Sequence, residues 1–571
     1  MKKIKILIVL MVLILSSCQK EIKNEFVNPN TVNPPTGSVT SGMFTSIMYQ
    51  WKLYVQDYGE YWWQNSGWGV PAYAQIAHRY ITQRYAANYA DYADLESGNG
   101  FDQSGINQFN DFYLRMKEWA LLRDNIASLS GTELADNQIY FALATVMKDV
   151  WALRNVDKYN KIPYFDALKG TQGVFFPKYD DPQAIYIAVL NDFKTIAGQL
   201  TAMKAGMSPA AINTFVNQDV AFKGDITKWI QYCNAVRLQY AVKLAGVDPT
   251  DAKPHIADVL ANLPTADMVI KEFTNGETPN GGGTIVRGFY EVPYCNFIPN
   301  VIMKRMNYGT SAYEPGIDDP RLPVIAMPTK YNDYRGVSMD ADAATAAYVA
   351  GDKYYPYADD LASSLAQNSK SMFNFATYCW NWQAYPAIMI TLAEVDLLQA
   401  EVALKGYATT TKTAGAYIKD AVTHSSDFWY TLNGYNAGWN PQATILHPVK
   451  VPADINTYST FVQTNFNAAA TVEDKMEILM QQKYIHLNIS NEWELWAELR
   501  RTRHPLLEPM VMAGVSMKPV TERLEYPTSE LQTNTANYLV VKPEDRVSTQ
   551  IFWVPSDKKT NVYYLAAPLP Q

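Results

Sequence analysis

Along most of the chain the apolar residues recur at steps of three and four, the spacing that gathers them into one stripe of a helix. In residues 181–200 the stripe is Ile185, Val189, Phe193, Ile196 and Leu200, with Asp181-Pro182 as N-cap and first-turn proline. From Asp225 it continues as Trp229, Cys233, Val236, Tyr240 and Leu244, and Gly246 and Pro249 stop it. The same pattern predicts a helix over Leu392–Lys405, closed by Gly406. Residues 473–503 read as two helices or one long one, punctuated near 488–491 and stopped by His504-Pro505. Residues 108–129 and 134–153 carry similar patterns. Strand-like alternation is sparse and builds no βαβ series. The expected fold class is therefore mainly α, one large domain of paired antiparallel helices. No repeat with a 34-residue period is visible, so any tetratricopeptide-like units are divergent.

Two long stretches lack the helical pattern, residues 62–105 and about 275–383, and both are rich in Gly, Tyr and Trp. Loops of this length in a compact body usually carry function. The first 18 residues differ again. Lys2, Lys3 and Lys5 precede ten apolar residues, Ile6 to Leu15, and then Ser16-Ser17-Cys18. An apolar run that short does not reach the roughly 17 residues a membrane span needs, but it suits an export signal. The Leu-Ser-Ser-Cys ending resembles a bacterial lipobox. On that reading residues 1–17 are a lipoprotein signal peptide and Cys18 is acylated. Residues 18–36, with Pro29, Pro34 and Pro35, are a flexible tether, and 37–571 form the helical domain.

Composition narrows the class. A net charge of -8 over 571 residues argues against nucleic acid, whose phosphates need a basic face. Four cysteines without CxxC spacing exclude a disulfide scaffold, and Cys233, Cys295 and Cys379 read as buried thiols. The six histidines show no metal-ligand spacing, and the chain has no GxSxG, P-loop or GxGxxG motif. No metal, cofactor or catalytic residue is expected. Glu494 and Glu498, four apart, could be a glycosidase acid/base pair, but Arg500, Arg501 and Arg503 nearby favour a helix face with ion pairs. Asp340 and Asp342 lack the oxygen-rich loop of a calcium site and read as solvated loop.

The aromatic residues point to a ligand. Trp62, Trp63 and Trp68 fall within seven residues, beside Gln64 and Asn65. A second stretch holds Tyr331, Asn332, Asp333, Tyr334 and Arg335, and a third Tyr354, Tyr355 and Tyr357. Sugar rings are held by stacking on aromatic plates with hydrogen bonds at the rim. Core packing is the competing explanation for every one of these rings. The candidate ligand-binding residues are Trp62, Trp63, Trp68, Tyr331 and Tyr334.

Several blocks, in order, resemble the SusD/RagB family. Residues 151–170 contain Ile162-Pro163-Tyr164 and Ala167-Leu168-Lys169-Gly170, similar to its "D-x-x-G-x-I-P-Y-x-x-A-L-x-G", except that Asn160 stands at the usual glycine. Pro177-Lys178-Tyr179-Asp180, the helix with Trp229, Asn234, Arg237 and Leu238, and Asp319-Pro320-Arg321-Leu322-Pro323 follow. The stretch 391–406, the block with Gln482-Lys483, Glu494, Trp496, Glu498 and Arg500-Arg501-Thr502, and Arg523 with Tyr526-Pro527 and Glu530 complete the series. The resemblance implies a helical scaffold with divergent tetratricopeptide-like pairs and a long-loop ligand-binding face. It also implies a non-enzymatic, lipid-anchored protein on the outside of the outer membrane. Such a protein takes oligosaccharides, or peptides, to a SusC-like TonB-dependent transporter. The alternatives are a surface-anchored carbohydrate-active enzyme, such as a helical-barrel hydrolase or lyase, and a ligand-free helical-repeat scaffold.

Overall fold

Helix ends form where the sequence places capping groups. The computed structural model describes residues 37–55, 108–270, 297–308, 312–355, 369–378, 386–435, 446–518, 521–559 and 564–569. The first half holds α1 (Gly37–Val55), α2 (Gln108–Arg115), α3 (Lys117–Ser128), α4 (Gly131–Tyr159), α5 (Pro182–Ala205), α6 (Pro209–Gln218), α7 (Ile226–Ala245) and α8 (Pro249–Val259). After a less regular middle containing α9 (Ala341–Val349) come α10 (Leu392–Lys405), α11 (Ala414–Gly434), α12 (Pro452–Ala468), α13 (Val472–Leu487) and α14 (Glu492–Thr502). Asp181 caps α5 by accepting from the Ala184 amide, and Asp225 caps α7 through Thr227 and Lys228. Thr391 and Glu394 exchange hydrogen bonds in a capping box at the start of α10, and Gly406 ends that helix in the left-handed region at φ 63°.

The helices pack against one another in a continuous series. α1 lies against α3 and α4, α4 against α5, α5 against α7, and α7 against α8. The second half repeats this from α10 to α14, and α7 touches α10 to join the halves. One cluster of buried apolar side chains runs from Met43 to Tyr564. A second lies among α10 to α13, where Leu397 and Ala400 meet Tyr417, Ile418, Tyr458, Val462 and Met476. Among the described residues the sheets are two short antiparallel pairs. Met268–Ile270 (β1) pairs with Ala387–Ile390 (β2), and Met510–Met512 (β3) with Val515–Met517 (β4).

Three expectations change. Residues 108–129 divide at Met116 into α2 and α3. α4 runs six residues past Leu153, because Asn155, Asp157 and Lys158 are buried beneath the last part of the chain. Asp157 accepts from the Trp553 indole at 2.8 Å, and the Leu524 amide donates to the Lys158 carbonyl at 2.8 Å. Asp340 and Asp342 stand at the start of a helix rather than in a loop, with Asp342 exposed to solvent. Asp340 caps α9 through the Ala343 amide, and Asp342 accepts from Ala513 and Gly514 at 2.8 Å each, pinning the β3–β4 turn. α4 ends at Asn160, whose φ of 69° suits glycine and, among other residues, asparagine best. Its Oδ1 accepts from the Phe552 amide at 2.9 Å.

Glu494 and Glu498 lie in a buried chain of charges that alternate in sign. Asp157 of α4 meets Lys243 of α7 at 2.8 Å, and Lys243 meets Glu494 of α14 at 2.7 Å. Lys483 of α13 sits 3.3 Å from both Glu494 and Glu498. Arg501 joins Glu498 at 2.5 Å to Glu401 of α10 at 2.6 Å. Burial opposes charge on Glu494, but Lys243 and Lys483 outweigh it and hold the carboxyl well below the usual range. Arg500 and Arg503 face elsewhere, Arg500 over the Trp496 ring at 3.5 Å and Arg503 onto Glu522 at 2.8 Å.

Removing one member leaves its neighbours buried and under-compensated. Lys483→Met is therefore expected to lower the unfolding free energy by roughly 3 kcal/mol or more, read from denaturant melts. A change below about 1 kcal/mol would mean that the pairs contribute little to stability.

A second outcome concerns acid. His486, buried, contacts the Thr391 hydroxyl at 2.7 Å and the Ser425 hydroxyl at 2.9 Å. Burial, with Arg321 and Lys483 nearby, pushes it down to about 3. The unfolded chain takes up this proton first, near pH ~6.5, so the stability tied to neutral His486 is lost as pH falls from there towards 3. Melts of His486→Gln are expected to depend less on pH across that window than those of the unsubstituted chain.

Candidate functional site

The irregular middle is tied down by a buried ion pair. Asp319 and Arg321 are fully buried, 2.5 Å apart, and Arg321 also donates to Gln482 of α13 at 2.6 Å and Ser425 of α11 at 3.1 Å. From there residues 326–340 run between two other strands of chain. The Val337 amide donates to the Ile298 carbonyl, the Met327 amide to Met372, and the Ser371 amide to Arg335, each at 2.8 Å. Gly336 is needed here, since a Cβ would lie 2.9 Å from the Asn300 backbone.

Before Gly336 the chain makes a tight turn. The Thr329 amide donates to the Asp333 carbonyl at 2.7 Å, the Asn332 amide donates back to Thr329 at 2.9 Å, and Asn332 takes φ 63°. The turn puts Tyr331 at its tip, 37% exposed, and folds Tyr334 inward to 9%. A second turn, after α9, places Gly351 at φ 74° and lets Asp352 accept from the Tyr354 amide at 2.9 Å. It brings Tyr354 edge-on to Tyr331, with ring centroids 5.2 Å apart at 81°.

Polar groups surround the two rings. The Tyr331 hydroxyl donates to the Lys353 carbonyl at 3.0 Å, and the Lys353 ammonium lies 4.2 Å from the Tyr331 ring and 4.8 Å from that of Tyr354. The Arg335 guanidinium sits 4.6 Å from the Tyr354 ring. Asp333 accepts short hydrogen bonds from the Thr329 and Tyr354 hydroxyls and lies 3.4 Å from Arg335. Burial works against its charge, yet these donors outweigh it and hold the carboxyl below its ordinary range. Beneath the ledge the buried Lys370 ammonium lies 4.0 Å from the Tyr355 ring, and burial brings its pKa down to about 7. The result is an exposed aromatic corner with a carboxylate acceptor and two cationic donors. Such a corner can stack on a ring and hydrogen-bond its edge.

Of the candidate ligand-binding residues, Tyr331 reaches the surface beside Asp333 and Arg335. Tyr334 does not; its ring belongs to the main core, because the chain turns back at Asn332, φ 63°, and leads into the buried stretch that follows. Trp62, Trp63 and Trp68, and Cys18, lie outside the described residues. Tyr354 and Lys353 were not among the candidates, although Tyr354 stands in the third aromatic stretch. The sequence gives no sign that α9 returns it to Tyr331.

The profile of the SusD-like family, described as starch-binding and associating with the outer membrane, matches residues 72–527. No curated protein matches the chain. Solved structures share the fold at low identity. A SusD homolog from Bacteroides uniformis is 19% identical with a TM-score of 0.60, covering 90% of this chain and 99% of that one. A chitin-binding SusD homolog from Flavobacterium johnsoniae is 17% identical with a TM-score of 0.58, covering 91% and 100%. Another chitin-binding protein is 21% identical with a TM-score of 0.59 over the same shares, 91% and 100%.

The two tyrosines of the second stretch are expected to behave oppositely. Tyr334→Ala should cost about 3 kcal/mol, as core aromatic truncations do. Tyr331→Ala should stay within about 0.5 kcal/mol of the unsubstituted chain, as surface changes do. Equal losses in thermal melts would show that Tyr331 is structural as well.

Proposed function

Because the chain belongs to the SusD-like family, we propose that it is a surface-held binding protein. On this reading it captures oligosaccharide without cleaving it and passes it to a SusC-like TonB-dependent transporter. The observation that carries the reading is the exposed Tyr331–Tyr354 corner rimmed by Asp333, Arg335 and Lys353. It offers stacking surface and both hydrogen-bond polarities at one place, which is what a sugar ring with a C–H face and equatorial hydroxyls requires. The tryptophans at 62, 63 and 68 are proposed to extend the same surface. Binding without catalysis is supported by Glu494 and Glu498, which are buried and neutralised by Lys243, Lys483 and Arg501.

The anchoring part of the reading rests on residues 1–36. Signal removal and acylation at Cys18 would leave a lipid and a proline-containing tether as the hold on the outer membrane, with the helical body outside. Among the described residues no helix is long and apolar enough to cross a membrane.

Affinity electrophoresis in gels containing soluble starch or glycol chitin tests the binding step. The full chain is expected to be retarded by at least one polymer, with no reducing ends released. Tyr331→Ala is expected to weaken that retardation roughly tenfold. Release of reducing ends would favour the enzyme alternative, and no retardation by any polysaccharide would defeat the glycan reading. Extraction of membranes in mild detergent tests the rest. The protein should co-purify with a large barrel, and Cys18→Ala should release it from the membrane.

A further inference from the structure

A deep concavity lies away from the tyrosine corner and shares no lining residue with it. It is a groove of about 690 Å³ between α3, α4, α5 and the loop after α4, within the range of small-molecule sites. Its walls are aromatic. Trp119 and Phe141 lie 5.5 Å apart and 31° from parallel, and Tyr164 meets Phe165 edge-on at 5.2 Å. Phe165 is 43% exposed at the mouth.

The charges that line the groove are nearly all matched within the protein. Lys148 is held between the Trp119 and Tyr164 rings at 4.5 and 4.4 Å and pairs with Asp149 at 2.7 Å. Arg123 pairs with Asp124 at 2.8 Å and donates to the Leu168 carbonyl at 2.9 Å, and Lys169 pairs with Asp166 at 3.1 Å. Asp192 is different. It lines the groove, yet among the described residues it accepts no hydrogen bond and forms no ion pair. Burial, with Asp149 nearby, outweighs the weaker pull of Lys148 and raises its carboxyl to about 6.

These features select a ligand chemistry. A purely apolar ligand would strip water from Asp192 and return nothing for it. An anion would meet Asp192 and find the three cations already paired. A cation would meet Lys148, Arg123 and Lys169 along the same walls. An uncharged ring with apolar faces and hydroxyl donors satisfies both the aromatic walls and the free carboxylate. We propose that this groove is a second saccharide site, in which Asp192 accepts from ring hydroxyls and Phe165 provides the stacking plate at the mouth. The proposal rests on the glycan reading above and adds a second point of attachment on the same chain.

Calorimetric titration of the full chain with maltoheptaose and with chitohexaose tests it. In the Tyr331→Ala/Tyr354→Ala variant, which removes both rings of the tyrosine corner, at least one of the two sugars is expected to bind still. Adding Asp192→Ala to that background should weaken the remaining binding roughly tenfold, and Phe165→Ala, at a half-exposed position, should do the same without lowering the melting temperature. If the tyrosine substitutions abolish binding, or the groove substitutions leave it unchanged, the second site is overturned and the glycan reading stands. If neither sugar binds the unsubstituted chain, both fall. Binding at the groove by a neutral peptide such as pentaglycine, and not by the sugars, would also overturn the saccharide assignment.

Discussion

The helices are held in register by a line of seven buried charges, from Asp157 through Lys243, Glu494, Lys483, Glu498 and Arg501 to Glu401. Each interior member touches two opposite charges. That is how the cost of leaving water can be offset at all, since a single buried pair seldom recovers its desolvation penalty. The two ends are closed differently. Asp157 takes the Trp553 indole and the Tyr186 hydroxyl as further donors, and Glu401 faces both arms of the Arg501 fork. Five helices contribute, from both halves of the chain. A slide of any one of them by a turn would break at least one of these contacts, so the line specifies an arrangement that apolar packing alone would leave degenerate.

That scaffold supports a surface built on different principles. Residues 326–355 carry short bridges and tight turns with a single nine-residue helix, fixed to the scaffold by Arg321 and by the clamp of Asp342 on the β3–β4 turn. Most of the family-like blocks turn out to be scaffold when seen in three dimensions. The Asp319–Arg321 block is an internal anchor, the Glu494–Arg501 block is the ionic line, and Asn160 is a helix terminator. The side chains that rim the tyrosine corner belong to none of them. Scaffold and tyrosine corner are therefore built from separate parts of the sequence.

Helices were legible because their signals are local. Thr391, Glu394 and Gly406 mark the ends of α10, and the break between α13 and α14 falls at Asn488, with Asn491 capping the second helix. What the sequence hid was decided by distant residues. The polar end of α4 looks like a surface until residues from 521 onwards cover it. Tyr331 and Tyr334 are equivalent by composition, and only the left-handed turn at Asn332 decides which faces water. Tyr354 reaches the corner because Gly351 redirects the chain after α9, a geometric event with no periodic signature. The groove was invisible for a similar reason. Trp119, Phe141 and Tyr164 belong to separate elements, and each reads as ordinary core on its own.

The end of α4 also bears on how the molecule can be made. Tyr159, Lys161 and Asn160 receive hydrogen bonds from Tyr526 and Phe552, and Asp157 one from Trp553, across more than 360 positions of sequence. Those partners are made long after α4. Until they arrive, a buried aspartate and a helix terminus near the start of the ionic line remain open to water. The end of α4 in the first half of the chain is therefore completed only by residues of the second. Pairing residues this far apart in sequence carries a loop-closure cost that local contacts avoid, so completing the end of α4 is a slow step that draws on both halves of the chain.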